Sequence, residues 1–207
     1  MRLGFEHILD PRGYDHILFV VALTVPYLVR EWRAVLVQVT AFTVGRSVTL
    51  ALATTRVVRL SSAWVEFLIP VTIFVTAVVQ IVRARGRTDR AREAVPESVG
   101  AEVERTTGRS LASPATWGLA LGFGLIHGLG FSNFLRALLG EEASLFVPLL
   151  SFNAGLELGQ LVVVVAMLAA TTLAVRTGIS RARRITAVAG VVGGLALVLS
   201  ILRLPLA

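Results

Sequence analysis

The sequence predicts an all-α, polytopic membrane protein with about six transmembrane helices. Of its 207 residues, 55% are hydrophobic and only 16% are charged, which is more apolar surface than one soluble core can bury and argues against a soluble enzyme. The apolar residues fall into runs long enough to cross about 30 Å of hydrocarbon. No cysteine is present, so disulfide scaffolds and thiolate metal sites are excluded. Any metal ion must be bound by nitrogen and oxygen atoms.

Six apolar runs, taken in chain order, define the predicted transmembrane helices. They cover residues 14–29, 34–54, 63–82, 115–139, 145–175 and 185–202. The first run is short and contains Pro26, and the fifth is long and contains Pro148 and Gly155, so we expect these two helices to be broken or tilted. Residues 83–113 are polar and of mixed charge, and we interpret them as a flexible connector. Residues 1–207 therefore form one integral membrane domain.

The distribution of arginine predicts how the chain is oriented. All 20 basic residues are arginines, and 13 of them lie in the segments that follow the first, third and fifth helices, against six on the other face. The positive-inside rule assigns the richer face to the cytoplasm. The connector is then cytoplasmic, and both termini lie outside the cytoplasm of a bacterial plasma membrane. Because the arginines form no stripe, we expect no nucleic-acid partner.

The first apolar run has a competing interpretation as a cleaved signal peptide, because Arg2 precedes it. The run ends in Val29-Arg30-Glu31-Trp32, which lacks the small residues of a cleavage site. We therefore favour a transmembrane helix.

Ionisable side chains inside the apolar runs are the strongest functional signal. They are Asp15, His16, Arg46, Glu66, His127 and Glu157. Each costs about 2.5–3.5 kcal/mol at the centre of a membrane, so such residues mark functional sites by default. With the predicted orientation all of them fall in the outer half of the bilayer, which predicts an outward-facing vestibule that narrows towards His127. The remaining histidine, His7, lies in a leader that we expect to be solvated.

Helical spacing adds a polar face and two groups of glycines. Asn153, Glu157 and Gln160 follow an i, i+4, i+7 pattern and share one face of the fifth helix. Gly155 and Gly159 form a small-xxx-small pair that lets another helix approach closely. We expect the same of the glycines around His127, which are Gly118, Gly122, Gly124, Gly128 and Gly130.

A weak internal repeat accompanies these motifs. Phe42-Thr43-Val44-Gly45 resembles Phe152-Asn153-Ala154-Gly155, and the two segments follow His16 and His127 by 26 and 25 residues. Three helices in each unit make the two halves inverted. Transporters with a 3+3 inverted repeat bind their substrate at the interface of the repeats.

These motifs resemble those of the HupE/UreJ family of bacterial membrane proteins, in particular its second branch. The matching segments are Gly4-Phe5-Glu6-His7-Ile8-Leu9 with Asp15-His16-Ile17-Leu18-Phe19, then residues 42–50 (FTVGRSVTL), 65–66 (VE), 123–131 (FGLIHGLGF) and 152–160 (FNAGLELGQ). They cover five of the six predicted helices. The resemblance implies a polytopic permease, usually assigned to nickel or cobalt, with the histidine and aspartate residues of the first motif as ligands.

The sequence departs from the family pattern at two places. The link between His7 and Asp15 is slightly longer than usual, which weakens the case that His7 acts jointly with Asp15 and His16. At the position before Ser47, where the family motif has histidine, this chain has Arg46. A permanent cation cannot be a ligand and repels a metal ion. We expect it to form an ion pair with Glu157.

The leading functional hypothesis is a permease for a divalent transition-metal cation, with nickel or cobalt favoured and zinc also compatible with imidazole and carboxylate ligands. The metal ion is the predicted substrate, and no cofactor is predicted. The predicted partners are the lipid bilayer and the ion. A homo-oligomer remains an open alternative. The predicted ligands are His7, Asp15, His16, Glu66, His127 and Glu157. The residues predicted to line the path are Thr43, Arg46, Ser47, Asn153 and Gln160.

Two alternatives remain open. One is an intramembrane hydrolase, in which Asp15, His16 and His127 hold a catalytic zinc ion or Ser132 is a nucleophile. The sequence has no Gly-x-Ser-Gly motif, and His127 is poorly aimed at Ser132 on the same helix, so a non-enzyme is favoured. The other is a non-transporting membrane subunit whose polar residues only hold helices together.

Reporter fusions test the predicted orientation. Within residues 83–113, a reporter that works in the cytoplasm should be active, and one that works outside the cytoplasm should be inactive. After Ala207 the result should be the opposite. The reverse pattern would contradict the outward-facing vestibule.

Overall fold

A computed structural model describes residues 1–9, 13–54, 61–93, 114–139 and 146–205 of the chain. The described part is helical and contains no strand, which confirms the predicted all-α class. Its helices are α1 (Arg2–Leu9), α2 (Tyr14–Thr24), α3 (Trp32–Thr54), α4 (Ser62–Glu93), α5 (Pro114–Leu139), α6 (Phe146–Arg176) and α7 (Arg181–Leu202). A single turn of 3-10 helix, Val29–Glu31, leads into α3.

Four helical segments of the described chain are long and apolar enough to cross a membrane. They are Val29–Leu52, Ser62–Gly86, Leu150–Arg176 and Arg181–Leu202. They agree with the second, third, fifth and sixth predicted spans and support a membrane protein. Helix α5 has 26 residues and coincides with the fourth predicted span, but its side chains beyond residue 130 lie outside the described part. The total of six spans and the inverted repeat stay predictions.

The first predicted span is wrong in length. Helix α2 has 11 residues, or about 16 Å at 1.5 Å per residue, roughly half the hydrocarbon thickness. It ends at Thr24, just before Pro26, which has no N–H to donate to the next helical hydrogen bond. The predicted span 14–29 is therefore a short helix followed by a corner.

The predicted connector is also partly wrong. Helix α4 has 32 residues and continues to Glu93, well into the segment 83–113 that was expected to be flexible. Arginine, alanine and glutamate are good helix formers, so a change from apolar to charged residues ends the membrane-spanning part without ending the helix. Residues 94–113 lie outside the described part of the chain.

The expected break in the fifth span is absent from α6. This helix runs without interruption over 31 residues. Pro148 lies in its first turn, where proline removes no helical hydrogen bond. Gly155 lies inside the helix and serves a packing role instead.

Gly155 lies where α1 packs against α6. A methyl group on Gly155 would collide with Met1 O, one on Gly4 would collide with Phe152 O, and one on Gly159 would come within 2.9 Å of Ile8 Cβ. The small-xxx-small prediction for α6 is thus confirmed, with α1 as the partner. The prediction of a solvated leader is wrong, because the bare backbone of α6 lets the leader fold against it as a helix.

Glycines bring α3 and α5 into backbone contact. A methyl group on Gly45 would collide with Leu121 O, and methyl groups on Gly124 and Gly128 would press against the backbone oxygens of Phe42 and Arg46. The predicted packing role is confirmed for these α5 glycines and for Gly130, which meets Ile69 of α4. It is wrong for Gly118 and Gly122, where nothing lies within 4 Å. Those two glycines lie on a face of α5 with open space beside it.

The corner between α2 and α3 is fastened to the corner between α6 and α7. Arg181 donates to Pro26 O at 2.6 and 2.9 Å and forms an ion pair with Glu31 at 2.7 Å. Thr171 Oγ1 donates to Tyr27 O at 3.0 Å, and Arg184 Nη1 donates to Thr171 O at 2.6 Å. The bonds to Pro26 O and Tyr27 O satisfy backbone carbonyls that the early end of α2 leaves without a helical partner.

Two alanine substitutions on one helix test the backbone contact. Gly124→Ala should lower the free energy of unfolding by about 1–3 kcal/mol because α3 and α5 must move apart. Gly122→Ala, the matched control, should leave it unchanged or raise it by up to about 1 kcal/mol through helix propensity. Thermal unfolding in detergent measures both, and equal effects would contradict the packing described here.

Candidate histidine site

Three histidine rings from three helices form a row, called here the histidine row and consisting of His7, His16 and His127. The rings of His7 (α1) and His16 (α2) have centroids 5.2 Å apart, and those of His16 and His127 (α5) are 5.7 Å apart. Both pairs meet edge to face. These are all the histidines of the chain. The fold thus assembles every imidazole into one continuous line.

The inner end of the row is held by a hydrogen bond between His127 and Thr72 of α4. Thr72 Oγ1 lies 3.0 Å from His127 Nε2 and 2.7 Å from the backbone oxygen of Ile69. A carbonyl oxygen only accepts, so the one hydroxyl hydrogen of Thr72 goes to Ile69 and His127 donates from Nε2. In the neutral ring Nδ1 then carries the lone pair, and no hydrogen bond among the described residues reaches this buried atom. The lone pair remains available to a ligand.

Aromatic rings close the sides of this inner end. The rings of Phe19 and Phe42 each lie 5.1 Å from the ring of His127 and stack on one another at 4.5 Å. His127 is only 1% exposed. The aromatic walls exclude water, which makes an available nitrogen lone pair a stronger ligand than it would be in solvent.

Asp15, the residue before His16, is engaged by a cation that follows α7. Its Oδ2 lies 2.8 Å from Arg203 Nη1, and both side chains are largely buried. Burial by itself lowers the pKa of Arg203, but the hydrogen bond and charge of Asp15 outweigh it, and the pKa lies above its ordinary value. Arg203 therefore stays charged and neutralises Asp15.

Arg46 lies beside the row but not in the predicted ion pair. Its side chain is 1% exposed, and it is close enough to His16 and His127 for its positive charge to act on both rings. The ion pairs among the described residues are Arg2–Glu6, Glu31–Arg181 and Asp15–Arg203. The expected pair of Arg46 with Glu157 is not among them. Arg46 lies where α3 meets α5, whereas the glycine face of α6 next to Glu157 is occupied by α1.

The other two predicted carboxylates stand apart from these contacts. Glu66 is exposed near the start of α4, and Glu157 is half-buried on α6. Neither carboxylate takes part in a hydrogen bond or ion pair within the described residues. Across the same residues, no three histidine, aspartate or glutamate side chains converge where they could bind one metal ion. The row therefore offers adjacent pairs of rings instead of one closed site.

A polar contact joins α3 to α6 next to the row. Thr43 Oγ1 donates to Gln160 Oε1 at 3.3 Å, and Gln160 is 1% exposed. Gln160 Nε2 and Asn153 Oδ1 are both buried, and no hydrogen bond of the described residues reaches either atom. Ser47 is half-buried on α3. Gln160 and Asn153 thus keep hydrogen-bonding capacity that the described residues do not use.

Comparison with known proteins decides the family. The sequence model of the family described as HupE / UreJ protein matches residues 1–203, nearly the whole chain. The chain belongs to the HupE/UreJ family. No curated protein and no solved structure matches the chain.

The match confirms the resemblance that the motifs predicted. The HupE/UreJ family is generally associated with nickel and cobalt transport. The motifs of this chain that match the family carry all three histidines of the row and Asp15. The row is thus built from family motifs, although α1, α2 and α5 are separate in sequence.

The sequence analysis missed two residues of the site. Arg203 follows the last helix and reaches Asp15 across 188 positions of sequence, and no local pattern predicts that contact. Thr72 did have a signal, because Thr72, Thr76 and Gln80 recur every four residues on an otherwise apolar helix. That stripe marks the face of α4 turned towards His127. Ser132, the nucleophile of the hydrolase alternative, has its side chain outside the described part.

Proposed function

We propose that this protein is a membrane permease for a divalent transition-metal cation, with nickel or cobalt favoured. The observation that carries the proposal is the histidine row, which leads from the neutralised Asp15 to the buried His127. Imidazole is a good ligand for Ni²⁺, Co²⁺ and Zn²⁺, and the chain has no sulfur ligand from cysteine to select softer ions. The family association favours the first two.

Transfer along the row exchanges one imidazole for another. An ion held by His7 and His16 passes to His16 and His127, so that His16 serves both positions. The ring centroids lie 5.2 and 5.7 Å apart, and turning the rings so that their nitrogen atoms face one ion would bring these atoms to the usual distance of about 2.0–2.1 Å from it. Water completes the coordination. Sites with few protein ligands bind weakly enough to release the ion, which conduction requires.

We assign a small cavity near Phe123, one helical turn from His127 on α5, to the inner half of this path. Its volume is about 20 Å³, enough for about one water molecule, and Thr76, Gln80, Arg83 and Phe123 are among its lining residues. Thr76 and Gln80 continue the polar stripe of α4 from Thr72. In the proposed six-span topology, with both termini outside the cytoplasm, this cavity is the cytoplasmic half.

Metal uptake tests the proposal directly. Cells that express His127→Ala should take up nickel or cobalt at the background rate, because the innermost ligand is lost. His7→Ala should raise the metal concentration needed for half-maximal uptake, because the outermost imidazole contributes to capture. Leu121→Ala changes an exposed position of α5 and is the control. Wild-type uptake by His127→Ala at equal expression would remove the histidine row from the mechanism.

Arg46 tests the charge of the path. Arg46→His removes a positive charge that acts on two of the three rings and adds an imidazole where the family has one. We expect Ni²⁺ and Co²⁺ to bind about tenfold more tightly, which corresponds to about 1.4 kcal/mol. Calorimetric titration of purified protein with Ni²⁺, Co²⁺ and Zn²⁺ measures the change.

The same substitution on the exposed end of α3, Arg33→His, is the control for Arg46. It removes an equal charge away from the row and should leave the isotherms unchanged. A loss of function in Arg46→His without a gain in metal binding would instead favour a chain that no longer transports cations. Identical isotherms for wild type and Arg46→His would show that this position does not act on the ion.

A further inference from the structure

The contact between Asp15 and Arg203 joins the first turn of α2 to the residue that follows α7. The carboxylate and guanidinium are 13% and 26% exposed, at an oxygen-to-nitrogen distance of 2.8 Å. Oδ2 accepts this contact, whereas Oδ1 of Asp15 is buried and no hydrogen bond of the described residues reaches it. One oxygen of the carboxylate is thus occupied by a built-in cation, and the other is not engaged by the described part of the chain.

Arg203 and a metal ion would compete for the carboxylate of Asp15. Asp15 adjoins His16, the middle residue of the histidine row, in the sequence. A metal ion that binds there needs the carboxylate, and the positive charge of Arg203 competes for it. Arg203 caps the C-terminal end of α7, where the helix dipole also favours a cation. The guanidinium therefore has a stable position both on Asp15 and near the helix end.

We propose that Arg203 is a tethered counter-cation, which occupies Asp15 when no metal is bound and is displaced by the entering ion. This inference rests on the proposed permease function. It makes Arg203 a specificity-determining residue for that function. A doubly charged ion that also gains an imidazole nitrogen can displace a single guanidinium, whereas Mg²⁺, which prefers oxygen ligands and holds its water, gains too little.

The same competition assists release. When the ion moves inward to His16 and His127, Arg203 returns to Asp15 and restores neutrality at the mouth. The return lowers the affinity of the outer position for the departing ion. Arg203 thus lowers metal affinity and raises selectivity and turnover.

A purely structural role makes the opposite prediction. If the ion pair only holds α2 against α7, removing Arg203 weakens the fold and metal binding together. If Arg203 is a competing cation, removing it strengthens metal binding. The direction of the change separates the two roles.

The experiment is calorimetric titration of the full-length protein with Ni²⁺ and with Mg²⁺. Arg203→Gln should bind Ni²⁺ at least about tenfold more tightly than wild type, equivalent to about 1.4 kcal/mol, and should discriminate less strongly against Mg²⁺. Arg203→Lys keeps the charge and should stay near wild type. Arg203→Met is a second neutral variant in case the amide does not fold. Arg183→Gln, an exposed position at the other end of α7, is the matched control and should bind as wild type does.

A double substitution completes the test. In an Asp15→Asn background, Arg203→Gln should no longer tighten binding, because the carboxylate for which the two cations compete is gone. Unchanged or weaker Ni²⁺ binding by folded Arg203→Gln and Arg203→Met, with wild-type binding intact, would overturn the counter-cation role alone. Absence of binding by wild type and every variant would overturn the permease proposal and this inference with it.

Discussion

The backbone contact between α3 and α5 is the constraint on which the site depends. Gly45, Gly124 and Gly128 have no side chains, so the two helices approach until their backbones touch. This approach places the ring of Phe42 on α3 at 5.1 Å from the ring of His127. It also brings the positive charge of Arg46 close enough to act on His127. The glycines have no chemistry of their own. They determine how close the chemical groups of the two helices lie.

The short helix α2 depends on a second set of contacts. A backbone that leaves its helix at membrane depth must find hydrogen-bond partners in protein or water. Here Arg181 and Thr171 bind the carbonyl oxygens of Pro26 and Tyr27. Because this corner is satisfied from α6 and α7, α2 can remain short and still hold His16 firmly between the other two rings.

The balance of charge around the row distinguishes it from a resident metal centre. Asp15 is neutralised by Arg203, and Arg46 adds a positive charge beside His16 and His127. A tightly held ion needs several converging anionic or imidazole ligands, whereas a transported ion must also leave. Paired imidazoles next to fixed positive charges favour passage over storage. The unusual Arg46 is therefore consistent with the proposed transport.

The sequence by itself determined the class of the protein, the positions of most long helices, the family and the three histidines, because apolar run length and motif residues are local properties. It did not predict α1, the end of α2 or the start of the connector correctly. Glycine packing determines the position of α1, proline ends α2, and helix propensity extends α4 into the connector, and hydropathy reports none of these. Only the tertiary structure decided that His7 joins the row, that Thr72 orients His127 and that Arg203 engages Asp15. Those contacts join helices far apart in sequence, and no local pattern encodes which helix faces which.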